Sequence, residues 1–298
     1  MIVNAGNLKT LFIAFKAAFA GGLGTAPSQY TQIATVVTST TGAEEYGWLG
    51  KFPKMREWIG DRVINGMQSH GYTVKNKPFE LTVGVPRNSI EDDQYGVFAP
   101  MMTEMGQSAG EFPDELVFNL LAEGRTEKCY DGKPFFATDH PVLNGKGKPV
   151  AQSNVDDIAD GGPAWYVLDT RRALKPLIFQ DRKKPNFVAM VSETDENVFS
   201  RAEFVYGVDA RGNAGFGFWQ QAYSSNKPLN AENLEAAITA MTGRLGDNDR
   251  KLGINPSVLV VPSTMEFVAS ALLKSVLVNG GETNPLAGRL TILLSPWL

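Results

Sequence analysis

Cys129 is the only cysteine in the 298 residues. That excludes an intrachain disulfide and any CxxC metal or redox site. Histidine is nearly as scarce, with two. An excess of positive charge is missing too. Lys and Arg total 28 against 32 Asp and Glu, a formal charge of −4, whereas wholesale coating of nucleic acid calls for a basic domain. No run of about 18 uncharged apolar residues occurs, so no membrane-spanning helix is expected. Walker A, HExxH and G-x-S-x-G patterns are absent. Gly66, Ser69 and Gly71 miss the last by one residue, and Asn65-Gly66 marks a turn there. Gly212, Gly215 and Gly217 lack the following helix that a dinucleotide fingerprint needs. No cofactor is expected.

What is present is ordinary globular material, 43% hydrophobic and 20% charged. A compact chain of this length forms one large domain or two ordinary ones and buries about three-quarters of its unfolded surface. Thirty Gly and 17 Pro are more punctuation than a helical bundle tolerates, so mixed α and β structure is expected.

Leu8, Leu11, Phe12, Phe15 and Phe19 recur at three and four, one face of a helix over 7–20. Asn7 is the expected cap and Gly21-Gly22 the expected stop. A rival reading makes residues 1–20 a signal peptide with Ala18-Phe19-Ala20 as its cleavage site, but Lys16 interrupts the apolar stretch. Residues 22–43 read as an extended arm. Residues 52–86 read as a β-ribbon or small meander, with Phe79, Leu81, Val83 and Val85 alternating along its last strand. Such a ribbon is marginal alone. A long helix is expected over 89–124, opened by Ser89 and Asp92 as a capping box and kinked or split near Pro100 and Pro113. Residues 125–163 read as loop. Strands are expected at 165–168, 177–180, 187–191, 204–208 and 216–219. A helix capped by Asn230, a strand at 258–261, a helix opened by Ser263 and Glu266, and a strand at 290–294 complete the chain.

Chemistry is thin. Asp139-His140 is the most enzyme-like pair, because an Asp can orient a His base. Adjacent strand residues point to opposite faces, however, and Asp-His-Pro before a loop more often makes a turn. Asp131, Asp139 and His140 lack the repeat spacing of a metal site. Glu91-Asp92-Asp93 complement a helix start. No catalytic, cofactor or metal residue is assigned. A charged ribbon, an apolar leading helix and a long helix are parts for holding neighbours.

Several stretches resemble the major head (capsid) subunit of Mu-like phages and prophages. They are Ala26–Tyr30, Glu45–Gly50, Arg56–Arg62, Lys77–Glu80, Asn88–Asp93, Phe135–Pro141 and Asp209–Asn213. The resemblance covers nearly the whole chain. It implies the α+β, HK97-like capsid fold, mapped here as an N-terminal arm (1–45), an E-loop ribbon (46–86), a P-domain (87–228) with its spine helix (89–124), and an A-domain-like helix–strand–helix with a C-terminal strand (229–298). It implies self-assembly into hexamers and pentamers of a shell enclosing double-stranded DNA, a virion location after assembly in the host cytoplasm, and no enzyme activity. Scaffold, portal and decoration proteins are the implied partners, with no membrane. Leu8, Leu11, Phe12 and Phe15 are expected to dock on a neighbour, and Arg56, Glu57, Trp58, Asp61 and Arg62 to pair across the subunit seam. The alternatives are an exported solute-binding protein and a hydrolase using Asp139 and His140.

Overall fold

The computed structural model describes residues 3–47, 49, 71–92, 94–277 and 281–298. The ribbon residues Arg56, Glu57, Trp58, Asp61 and Arg62 lie outside this set.

Two sheets, each backed by two helices, share one core. The first sheet has the order β1-β9-β10-β4, with β1 at Ala34–Thr38, β4 at Lys77–Pro86, β9 at Leu177–Met190 and β10 at Glu203–Phe216. Strands β9 and β10 form a long antiparallel hairpin that also pairs with β4, and β1 runs parallel to β9. Successive strand residues face opposite sides. Phe204, Tyr206 and Val208 are accordingly buried, while Val205, Gly207 and Asp209 are half-exposed. The buried row packs under helices α1 (Ala5–Thr25) and α3 (Ala99–Ala122), against Leu8, Leu11, Phe15, Phe19, Met102 and Met105. The short helix α2 (Arg87–Glu91) lies between β4 and α3, and α4 (Glu196–Arg201) between β9 and β10. Two small pairs, β2 (Ala43–Glu45) with β3 (Thr73–Lys75) and β12 (Leu245–Gly246) with β13 (Arg250–Lys251), are separate from the main sheets.

Helices α1 and α3 meet backbone to backbone. A Cβ on Gly22 would fall 1.9 Å from the Thr103 carbonyl oxygen, and one on Gly106 2.0 Å from that of Phe19. Only glycine permits this approach. The expected stop at Gly21-Gly22 is thus a packing site inside a helix that runs on to Thr25, and its cap is Asn4, whose side chain accepts from the Asn7 N–H at 2.9 Å. Helix α3 starts at Ala99 with Pro100 in its first turn, where a missing N–H costs nothing. It continues through Pro113. Asp114, one residue on, accepts from the Gln29 N–H at 2.9 Å and the Ser28 hydroxyl at 3.2 Å, which fastens the chain after α1 to the spine. Ser89 lies within α2 and caps nothing.

The second sheet has the order β15-β14-β8-β11-β7, with β7 at Val155–Asp156, β8 at Trp165–Leu168, β11 at Ala222–Ser225, β14 at Val258–Pro262 and β15 at Thr291–Ser295. Strands β8 and β14 are buried throughout, the signature of strands covered on both faces. Helices α5 (Ala231–Thr242) and α6 (Glu266–Lys274) cover one face with Leu234, Ala237, Met241 and Leu273. Asn230 caps α5, accepting from the Asn233 N–H at 2.9 Å. A 3-10 turn at Ser263–Met265 replaces the expected capping box before α6. The other face meets the shared core, where Tyr166, Leu168 and Val260 join one buried cluster with Phe216 and Phe179 of the first sheet and Val117 and Phe118 of α3.

The chain leaves the second sheet after β8, makes the whole β9–β10 hairpin in the first, and returns through a 3-10 turn (Trp219–Gln221) to β11. The expected boundary at 228/229 therefore cuts through one sheet. Its strands at 165–168 and 222–225 belong with 258–262 and 291–295. Among the described residues no helix is long and apolar enough to cross a membrane.

Candidate functional site

The loop after α3 folds onto the crossover between the sheets. Cys129–Gly132 forms a tight turn, closed by the Gly132 N–H to the Cys129 carbonyl at 3.0 Å, with Gly132 at φ +81°. That turn brings Asp131 to His140, at the start of a strand (β5, His140–Leu143) paired with β6 (Pro149–Gln152). His140 Nδ1 lies 2.7 Å from Asp131 Oδ2, and Nε2 lies 3.2 Å from Asn154 Oδ1. The ring stacks on Trp219 of the crossover at 4.0 Å and 7°. Its side chain is fully buried. Burial raises the Asp131 carboxyl, but the His140 bond and charge, with donors from Cys129 and the Lys133 backbone, outweigh it and hold the group below its usual range.

Asp139 points elsewhere. It is exposed, pairs with Lys133, and lines an open groove of about 420 Å³ with Arg125, Thr138 and Asp157. A general base must reach the proton it takes. His140 has both nitrogens engaged and no exposed surface, so the Asp139/His140 hydrolase fails on geometry. Cys129, Asp131 and His140 do converge, with donor atoms within 4.8 Å of one another. The 2.7 Å and 3.1 Å separations within the trio are those of hydrogen bonds, with the thiol donating to Asp131 Oδ1. Burial pushes that thiol well up from its ordinary range, away from the thiolate a metal requires.

Arg244 is another buried ionisable group near the crossover. Its guanidinium donates to the carbonyls of Gln220 at 2.7 Å and Ala222 at 3.1 Å and lies 5.5 Å from the Trp219 ring. Burial lowers it to about 10, so it stays charged at neutral pH. No carboxylate pairs with it among the described residues, and backbone carbonyls carry the compensation.

The leading helix overturns an expectation. Leu8, Leu11 and Phe15 are buried against the chain's own α3 and β9–β10 hairpin, with Phe15 edge-on to Tyr206 and Phe12 stacked on Phe187. Leu8, Leu11 and Phe15 are taken up inside the subunit, while Phe12 stays half-buried and Ile13 on the same helix is exposed. Exposed apolar side chains also lie elsewhere. Phe267 on α6 is 83% exposed, and Val276 and Leu277 just beyond the helix are 67% and 58% exposed.

The sequence and the architecture match a known family. The model of the family described as "Mu-like prophage major head subunit gpT" covers residues 8–298. The chain belongs to that family. It is 44% identical to the major capsid protein of Escherichia phage Mu over the full length of both chains. It is 47% identical to the Mu-like prophage FluMu major head subunit of Haemophilus influenzae, across 90% of this chain and 88% of the relative. Among solved structures, the procapsid of bacteriophage JBD30 matches with TM-score 0.89 and 48% identity, covering 99% of this chain and 100% of that one. The capsid of the same phage matches with TM-score 0.79 and 35% identity over 100% and 99%.

Membership makes this an α+β, HK97-like head subunit, a structural protein of the virion and not an enzyme. Membership gives the exported solute-binding protein no support. Sequence reasoning missed Gly22 and Gly106, 84 positions apart, whose role depends on two helices meeting. It also missed Asn154 and Trp219 around His140. The Asp131-Gly132 turn was the one local signal that could have led to the true partner of His140.

Proposed function

We propose that copies of this chain form the hexamers and pentamers of an icosahedral head around double-stranded DNA, as the major capsid protein of a Mu-like tailed phage. Full-length likeness to a procapsid subunit carries the reading. In this assignment residues 1–45 are the arm, 46–86 the E-loop and α3 the spine. The P-domain holds β9 and β10 of the first sheet, which the arm's β1 and the E-loop's β4 flank, and the A-domain holds the second sheet with helices α5 and α6. Each contact between subunits is modest, and the closed shell is stable because every copy makes many at once. The exposed side chains of Phe267, Val276 and Leu277 supply apolar contact between copies, and Arg56, Glu57, Trp58, Asp61 and Arg62 pair along the seam. A slightly acidic subunit suits a wall that holds DNA without reading it.

Assembly in the host cytoplasm engages a separate scaffold protein and a portal. A decoration protein completes the set, by analogy with the JBD30 capsid decorated with minor capsid protein trimers. The E-loop assignment has a direct test. Replacing residues 51–70 by a short Gly-Ser linker spares β4, which a wider deletion would strip from β10. The variant should keep wild-type circular dichroism and form no shells. Normal particles from it would remove the E-loop from the assembly.

A further inference from the structure

We propose that His140 carries a hydrogen on both ring nitrogens and forms with Asp131 a buried charged clamp across the joint between the two sheets. The argument is one of hydrogen-bond direction. Asn154 is held in a single orientation by the backbone. Its Oδ1 accepts from the Ala137 N–H at 2.9 Å, and its Nδ2 donates to the Phe135 carbonyl at 2.7 Å. Flipping the amide would set donor against donor and acceptor against acceptor. The atom facing His140 Nε2 at 3.2 Å is therefore an acceptor, and Nε2 must carry hydrogen.

The opposite nitrogen faces Asp131 Oδ2 at 2.7 Å. A neutral imidazole that spends its one hydrogen on Nε2 would leave Nδ1 bare against a carboxylate oxygen, two acceptors at contact. A hydrogen must sit in that bond as well. It belongs to the ring rather than the carboxyl, because the other oxygen, Oδ1, already accepts from the Lys133 N–H at 3.0 Å and the Cys129 thiol at 3.1 Å. Those bonds favour the ionised carboxylate. A buried charge is tolerated when it is paired and its remaining hydrogens are satisfied, and both conditions hold for His140.

The clamp's position gives it a role. Asp131 sits on the turn after α3, and His140 opens the β5–β6 hairpin. Asn154 accepts the thread of β11, through the Ser224 N–H to its backbone carbonyl at 3.0 Å. Trp219, stacked on the ring, is the crossover from the first sheet to the second. His140 is thus a positioning residue for the relative setting of the two sheets.

With two histidines in the chain, ring nitrogen NMR isolates the group. The full-length protein is labelled with ring-15N histidine and studied at neutral pH, in solution or as sedimented shells, and His70→Ala assigns the remaining signals. Both His140 nitrogens should resonate as protonated, with their hydrogens protected from solvent exchange. In Asp131→Asn one nitrogen should shift to the bare position. Cys129→Ala, which touches only the other carboxylate oxygen, should leave both hydrogens in place. A bare nitrogen in the wild type would overturn the clamp. So would a ring shift on adding zinc, which would show Nδ1 open to a metal. If Asp131→Asn does not fold, the wild-type and Cys129→Ala spectra decide alone.

Discussion

Asp131 lies between a thiol, a backbone N–H and an imidazole, and its carboxylate answers all three. Hydrogen bonds to a charged group are worth about 1.5–3 kcal/mol, and in Asp131→Asn His140 gives up its second hydrogen instead of standing as a stranded charge. Asp131→Asn should therefore lower unfolding free energy by about 1.5–3 kcal/mol, measured by urea denaturation at neutral pH. The pH sign follows from the depressed carboxyl. Its contribution is fully present above the ordinary aspartate range and is lost as pH falls through the folded-state value. The gap in melting temperature between wild type and Asp131→Asn should hold at neutral pH and close in acid. A gap independent of pH would mean that packing, not charge, is lost. Glu44 makes a milder, exposed version of the same arrangement. Its carboxylate accepts from the Ser39 hydroxyl and the backbone of Thr40 and Thr41, and these bonds hold it at about 2.

At the scale of elements, the α1–α3 contact carries the sharpest expectation. A side chain at Gly106 must displace the Phe19 backbone. Overpacking of this kind costs about 1–3 kcal/mol. Gly106→Val should lower stability by at least that and make residues 5–25 an early target of limited proteolysis. An unchanged cleavage pattern would mean that the arm is held by other contacts. The same contact explains what the sequence hid. A Gly-Gly pair at the end of an apolar periodic run reads locally as a stop, and only the partner helix reveals it as a packing site. Strands β8 and β14 were legible because each is a short apolar run between breaks. The β9 strand read as two pieces, since Asp181-Arg182-Lys183-Lys184-Pro185 looks like a break. In the fold those residues lie beside a β-bulge in the pairing with β10, and Lys183 reaches Asp209 across it. The helix periods of α1, α3 and α5 were visible, but their ends were not, because caps and prolines act within one turn while tertiary contacts extend or trim the rest. At the site, adjacency in sequence favoured Asp139 as the partner of His140. The turn at Cys129–Gly132 delivers Asp131 instead, and the neighbour goes to solvent.

For the whole molecule, the two sheets, the arm and the shared core complete one another inside a single chain, so association draws on what remains outside. Phe267, Val276 and Leu277 stand exposed in the isolated subunit, and the proposed shell gives such side chains a neighbour to cover them. Phe267→Asp should leave the circular dichroism and melting temperature of the subunit unchanged and reduce shell yield in sedimentation. Equal yields would assign Phe267 to no contact. The central claim, that this chain is the repeating unit of a closed shell, is tested most directly by electron microscopy of the purified protein. The account predicts closed icosahedral particles, or free hexamers and pentamers before closure. A field of monodisperse monomers at high concentration would contradict it.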